Sequence, residues 1–257
     1  LIGPGFWKIS APNFYPITNL DSKSTFDLKN INLNSLKLDQ KFLNTALSSN
    51  DLFGREIAIA WSNQIVKKAI NDKIIPRTYI SQLPNDLNTY HRKQRKKLFI
   101  SIVLPLLVRG NELIMIERKI LKNLFKNKEF KKIKHFCIKY KINKKECLNT
   151  KTPLLKEKLL MRVDVLPISM MLAQAAIESG WGLSRFAKQG NALFGQWVWG
   201  DKESGIKPKE AKNSNFYVKS FHNLQSSVNG YLLNLNSHYA YEKMRQYRKL
   251  IKIKSKN

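Results

Sequence analysis

The sequence predicts a mainly α protein with a small β-containing lobe and an N-terminal helical extension. Three observations carry this. Ile168 to Ile177 are small or straight-chain helix formers, nearly all apolar, bounded by Pro167 and Gly180. Phe130, Ile133, Phe136, Cys137 and Tyr140 recur at the spacing of one helical face. Residues 196 to 222 alternate weakly instead, and carry Gly200, Gly205 and Pro208.

In chain order, residues 1–34 are rich in Asn, Ser, Pro and Gly and read as an extended or poorly ordered arm. A helical hairpin follows over about 36–72, with Gly54 as an interruption. Pro76 and Pro84 mark turns, after which a long helix runs from about Leu87 to Lys126, kinked at Pro105. Helices near 129–141 and 152–162 precede the helix 167–179. Asn215 to Phe221 reads as a short strand, and helices at about 224–237 and 241–251 close the chain. No internal repeat is present.

The candidate catalytic group is Glu178. Between Asp164 and Asp201 it is the sole carboxylate, set among Ala, Met, Ile, Trp and Phe. Pro167 suits a first helical turn, where its missing N–H costs nothing, and Gly180 is a left-handed stop just past the last turn. Glu178 therefore falls at the negative end of the helix dipole. That end and an apolar surround both favour the protonated carboxyl, the form a general acid needs. Gln174, four residues earlier, shares the face and is placed to hydrogen-bond Glu178 or a ligand. The plainer alternative is an exposed glutamate ending an ordinary core helix. Against it, Ser179-Gly180-Trp181-Gly182 sets an indole between two glycines, which is costly in backbone entropy unless the turn requires it.

The run AAIESGWGLSRFAKQGNALFG, residues 175–195, resembles the core motif of bacterial glucosaminidases that cleave peptidoglycan, and within that group the Bax-like proteins. The likeness continues through Gln196-Trp197, through Asn234-Leu235-Asn236-Ser237-His238 and Ala240-Tyr241, and upstream to Arg92-Lys93 and Phe99 to Arg118. It covers roughly residues 60–252. The resemblance implies a lysozyme-like, mainly helical fold, with residues 35–150 as a helical N-terminal region and 151–257 as the catalytic region. It implies Glu178 as general acid in hydrolysis of the β-1,4 bond after N-acetylglucosamine, with Asn191, Phe194 and Gly195 at the sugar cleft. A second carboxylate is expected from Asp201, Glu203 or Glu210, with Glu203 preferred; the substrate's own acetamido group is the alternative. Trp181, Phe194, Trp197 and Trp199 are candidate sugar-stacking rings, and His238 is placed to approach the cleft, although core packing accounts for some of these equally well. Members of this family continue into a segment bearing a tyrosine that faces the catalytic glutamate. Here only RKLIKIKSKN follows Tyr247, so the catalytic region reads as truncated.

Composition bounds the alternatives. With 257 residues and 43% hydrophobic content the chain can bury one large core or two modest ones. A formal charge of +28 points to a polyanionic partner, an anionic wall or membrane surface, or codon bias toward Lys, Asn and Ile. The lysines are dispersed from Lys8 to Lys256, which fits codon bias at least as well as a dedicated surface. A nucleic-acid partner is not expected: zinc spacing, a phosphate loop and a helix-turn-helix signature are all missing. The aromatic residues in the basic stretch Lys126 to Lys145 fit a helix face more simply than base stacking. No cofactor or metal is expected, since His91, His135, His222 and His238 are scattered. Cys137 and Cys147 could form one bridge in an oxidising compartment. No signal peptide is visible, and the longest apolar stretch, Leu98 to Val108, is too short to span a bilayer. Periplasmic or envelope location, peptidoglycan strands as partner, and a non-catalytic wall-binding alternative all follow from the resemblance.

Overall fold

A computed structural model describes residues 52–72, 75, 77, 79–148, 153–200, 205–209 and 215–254. The expected N-terminal arm, the first half of the helical hairpin, the turn at Pro76, and Asp201, Glu203 and Glu210 lie outside the described residues. Among those described, nine α-helices surround one another and a single three-stranded sheet, so the fold is mainly α with a small β lobe, as expected.

Helix α1 (Leu52–Asn71) passes through Gly54 without the expected interruption. After a 3-10 turn at Leu87–Thr89, α2 (Arg92–Lys126) forms the axis of the molecule. Pro105 lies inside it and cannot donate to the Ser101 carbonyl; the helix continues on both sides because tertiary packing outweighs one lost bond. Its Leu98, Phe99, Ile102, Val103, Leu106, Leu107 and Leu121 are almost wholly buried. By length and composition α2 could cross a membrane, but 56% of its apolar window is buried in the fold, where α1, α6 and α8 pack on it. Its apolarity is that of a core helix.

Helices α3 (Phe130–Lys139) and α4 (Lys144–Leu148) follow. Ile133, Cys137 and Tyr140 are buried while Phe130 and Phe136 pack at the margin, so the aromatic residues of the basic stretch form a core face, as their spacing predicts. A disulfide joins Cys137 to Cys147, with Cα atoms 6.0 Å apart. Next come α5 (Pro153–Arg162), α6 (Ile168–Glu178) and α7 (Arg185–Gly190). Strands β1 (Trp197–Trp199), β2 (Gly205–Ile206) and β3 (Phe216–Lys219) form an antiparallel sheet in the order β1-β3-β2. Helix α8 (Leu224–Ser237), capped by the Asn223 side chain, and helix α9 (Glu242–Lys254) complete the fold.

Where α8 crosses α2, Gly110 lets the axes approach: a Cβ there would come within 2.5 Å of Leu232 Cδ1. The approach to α6 is held by Asn111, which is buried in α2. Its Nδ2 donates to the Leu166 carbonyl (2.8 Å) and its Oδ1 accepts from the Leu166 N–H (3.1 Å). Leu166 is the residue before Pro167, so a buried amide sets where the Glu178 helix begins.

The ends of α3, α5 and α8 converge with their unpaired carbonyls, and arginines meet them. Arg162 donates to the carbonyls of Tyr140, Lys141 and Ser237. Arg245 reaches those of Leu235 and His238, and Arg248 those of Met161, Asp164 and Val165. Guanidinium groups suit helix C-termini both as multiple donors and as cations facing the dipole. Buried Asp164 balances the charge, with Lys252 Nζ at 2.5 Å, Arg248 Nε at 3.7 Å and Arg118 at 3.9 Å. Burial, opposed by Asp164, pulls the Arg248 guanidinium down to about 10.

Two buried tyrosines give a pH prediction. Burial raises the Tyr140 phenol well above its ordinary 10.0, reinforced by Glu117, which accepts its hydroxyl hydrogen bond at 2.8 Å. Burial raises Tyr231 likewise, with Tyr241 and Glu178 adding to the effect. A folded pKa above the unfolded one means these groups contribute stability that is complete below pH about 10 and is lost as pH rises beyond it. Phenolate absorbance of Tyr140 and Tyr231 is therefore expected to appear only together with loss of the circular dichroism signal. Titration of all nine tyrosines before unfolding would contradict this.

Candidate active site

Helix α6 is amphipathic across its width. Met171, Ala175 and Ala176 face the core, whereas Ala173, Gln174, Ile177 and Glu178 are exposed. The expected enclosure on most sides is not found: Glu178 opens onto a cleft, because only one face of the helix meets α2. The turn after it explains the Ser-Gly-Trp-Gly run. Gly180, Trp181 and Gly182 all have positive φ (58°, 58° and 80°), two of them at the residue type that tolerates it. Ser179 is buried and fastens this turn, donating to the Ala175 carbonyl (2.6 Å) and accepting from the Gly182 N–H (2.9 Å). The chain then enters α7, whose cap is Ser184.

The cleft has a volume of about 330 Å³ and is walled by Gln174 and Glu178 of α6, Phe194 to Trp197, Tyr231, Asn234 and Leu235 of α8, and Tyr241. Phe194 lies flat on Tyr231, ring centroids 3.9 Å apart, and the Tyr231 hydroxyl donates to Gln174 Oε1. Gln174 is thus tied across the cleft to α8, not to Glu178. Gly195 has φ +55°, and a Cβ there would stand 3.6 Å from Glu178 Oε2. The backbone at Gly195 therefore passes beside the carboxylate with no side chain between. Gly195→Val is expected to cost about 1–3 kcal/mol through the left-handed φ, read as a fall in the urea midpoint. An unchanged midpoint in Gly195→Val would contradict this placement.

Against known proteins, residues 155–257 match the family model described as mannosyl-glycoprotein endo-beta-N-acetylglucosaminidase. The chain is also 35% identical over 175 residues to the Escherichia coli protein named "Protein bax", covering 65% of this chain. No solved structure matches. The family match lies in the part of the chain that holds α6 to α9 and the sheet, and therefore the whole cleft. The chain spans 60% of the length of that bacterial relative.

Within the matched region, residues 155–257, the residues singled out from sequence separate into two groups. Gln174, Glu178, Phe194, Gly195 and Trp197 come together at the cleft. Trp181 does not line it: its ring meets Phe99 edge-on at 5.8 Å, with Lys96 Nζ 4.5 Å from its centroid. Asn191 is buried at φ +52°, and its Nδ2 donates to the Phe221 carbonyl (3.0 Å), so it shapes the turn leading to Phe194. His238 does not line the cleft; its ring lies 6.2 Å from that of Tyr241, which does. Glu203 lies outside the described residues. Among those described, no three His, Cys, Asp or Glu side chains converge as metal ligands would.

Tyr231, Gln196, Asn234 and Tyr241 join the cleft without a sequence motif that gives them a role there. The available signal was the α8 spacing 231, 234, 235, 238, one helical face running past the end of α6. Two tyrosines, Tyr231 and Tyr241, line the cleft with Glu178.

Proposed function

We propose that this chain is a peptidoglycan hydrolase of the cell envelope that cleaves the β-1,4 bond after N-acetylglucosamine, with Glu178 as general acid. The observation that carries the reading is the Glu178 carboxyl opening onto a cleft walled by Phe194, Trp197, Tyr231 and Tyr241. Aromatic faces suit the apolar faces of pyranose rings, and the amides of Gln174, Gln196 and Asn234 supply donors and acceptors for hydroxyl and acetamido groups. The match of residues 155–257 to the endo-beta-N-acetylglucosaminidase family model supports glycosidase chemistry.

In this mechanism Glu178 protonates the leaving glycosidic oxygen as the bond breaks through an oxocarbenium-like transition state. Glu203, in the connection between β1 and β2, is the proposed second carboxylate, activating water or stabilising the positive charge. Assistance by the substrate acetamido group would leave Glu203→Gln active, so that variant separates the two routes. The test of the reaction is digestion of purified peptidoglycan, with reduced products identified by mass spectrometry. New reducing N-acetylglucosamine ends, absent with Glu178→Gln, are expected. New reducing N-acetylmuramic acid ends would move the bond cleaved, and retention on the polymer without any product would make this a wall-binding protein.

A further inference from the structure

We propose that Trp199 and Phe216 form an outer glycan subsite, continuous with the cleft through Trp197, so that the domain engages a sugar ring beyond those held beside Glu178. The proposal rests on the reading of the cleft as a glycan site. In the β1–β3 ladder Trp199 pairs with Phe216 and Trp197 with Val218, so Trp197, Trp199 and Phe216 share one face of the sheet. Trp197 lies parallel to Phe216, centroids 4.5 Å apart, and Trp199 meets the same ring edge-on at 5.7 Å. The three rings form one strip. Its inner end, Trp197, is a wall of the cleft; its outer end, Trp199, is not.

Both indoles are left open to solvent, Trp197 59% and Trp199 71% exposed, although sheet aromatics ordinarily bury against a neighbour. Two residues of strand separate them by about 7 Å, so a strand lying along the cleft passes over Trp199 one ring further out. The occupant is a glycan and not a protein, because the strip is only three rings on two short strands. Two indoles and a phenyl ring fall far short of the roughly 800 Å² per partner that a stable protein interface buries. Among the described residues no group accepts from either indole N–H, which suits a sugar hydroxyl at the ring edge. Such a subsite rewards polymer over fragment and favours attack within a strand.

The test compares the full chain with Trp199→Ala, Trp199→Tyr and Trp199→Leu on a peptidoglycan tetrasaccharide and on long, peptide-free glycan strands. Trp199→Ala is expected to lower the long-to-short ratio of kcat/KM about tenfold, through KM, with Trp199→Tyr restoring most of it and Trp199→Leu little. Its exposure predicts an unchanged melting curve. An unchanged ratio in Trp199→Ala, or rescue by Leu equal to that by Tyr, would overturn the proposal. Should the parent cleave neither substrate, the hydrolase reading fails. The subsite is then decided by binding, measured by calorimetry with long strands: weaker binding by Trp199→Ala supports it, and equal binding overturns it.

Discussion

Glu178→Gln is expected to lower kcat on peptidoglycan about a thousandfold, the middle of the range that a positioned proton donor contributes, while leaving KM within a few-fold of the parent. The amide has nearly the shape of the carboxyl and keeps its hydrogen-bonding reach, but it cannot deliver a proton to the glycosidic oxygen. Stability should not move. Glu178 is exposed, and among the described residues no ion pair or side-chain hydrogen bond holds it. A change within about 0.5 kcal/mol is typical of such a site. Urea unfolding of both proteins, run beside the kinetics, checks that lost activity is lost chemistry. If Glu178→Gln retains more than about a tenth of parental kcat, another group is the acid.

Asp164→Ala is expected to destabilise the fold by about 3–5 kcal/mol, read as a fall in the urea midpoint at constant slope. Asp164 is 4% exposed and faces Arg118, Arg248 and Lys252. Its removal leaves the buried Arg248 guanidinium without a counter-charge, in a chain that already carries 46 basic and 18 acidic residues. Asp164→Asn keeps the side-chain bond to the Val165 N–H (3.0 Å) and removes only the charge, so it should lose most of the same stability. A loss under about 1 kcal/mol in both variants would mean that the arginine–carbonyl bonds alone hold α9. The cluster bears on the site as well. Asp164 stands just before the Leu166–Pro167 step into α6, and its carbonyl accepts from Asn236 of α8 at 2.8 Å. Both walls of the cleft are therefore referenced to one residue.

Much of this was legible locally. Pro167 and Gly180 bracket the glutamate helix, and the observed helix ends at Glu178 as their chemistry requires. The closing helices and the strand at Phe216–Lys219 lie close to where their patterns set them. The Ser-Gly-Trp-Gly turn is a backbone need, as its glycines suggest, since two of its three successive positive φ values fall on Gly180 and Gly182. The apolar enclosure of Glu178 was misjudged because a run of Ala, Met and Ile reads the same on a core face and on a cleft face.

Which aromatic residue does what was not legible. Four rings near Glu178 were equivalent candidates by sequence, yet Trp181 plugs the core against Phe99, Phe194 and Trp197 wall the cleft, and Trp199 stands outside it. Tyr231 reaches Gln174 across 57 residues, and Arg248 reaches Asp164 across 84. The sequence by itself determined the helices, the special turns and the position of Glu178 at a helix end, because caps, periodicity and glycine conformation act over a few residues. Tertiary structure decided the cleft walls, the Asp164 cluster and the open face of α6, because these depend on where distant helix faces meet, and no local pattern encodes that meeting.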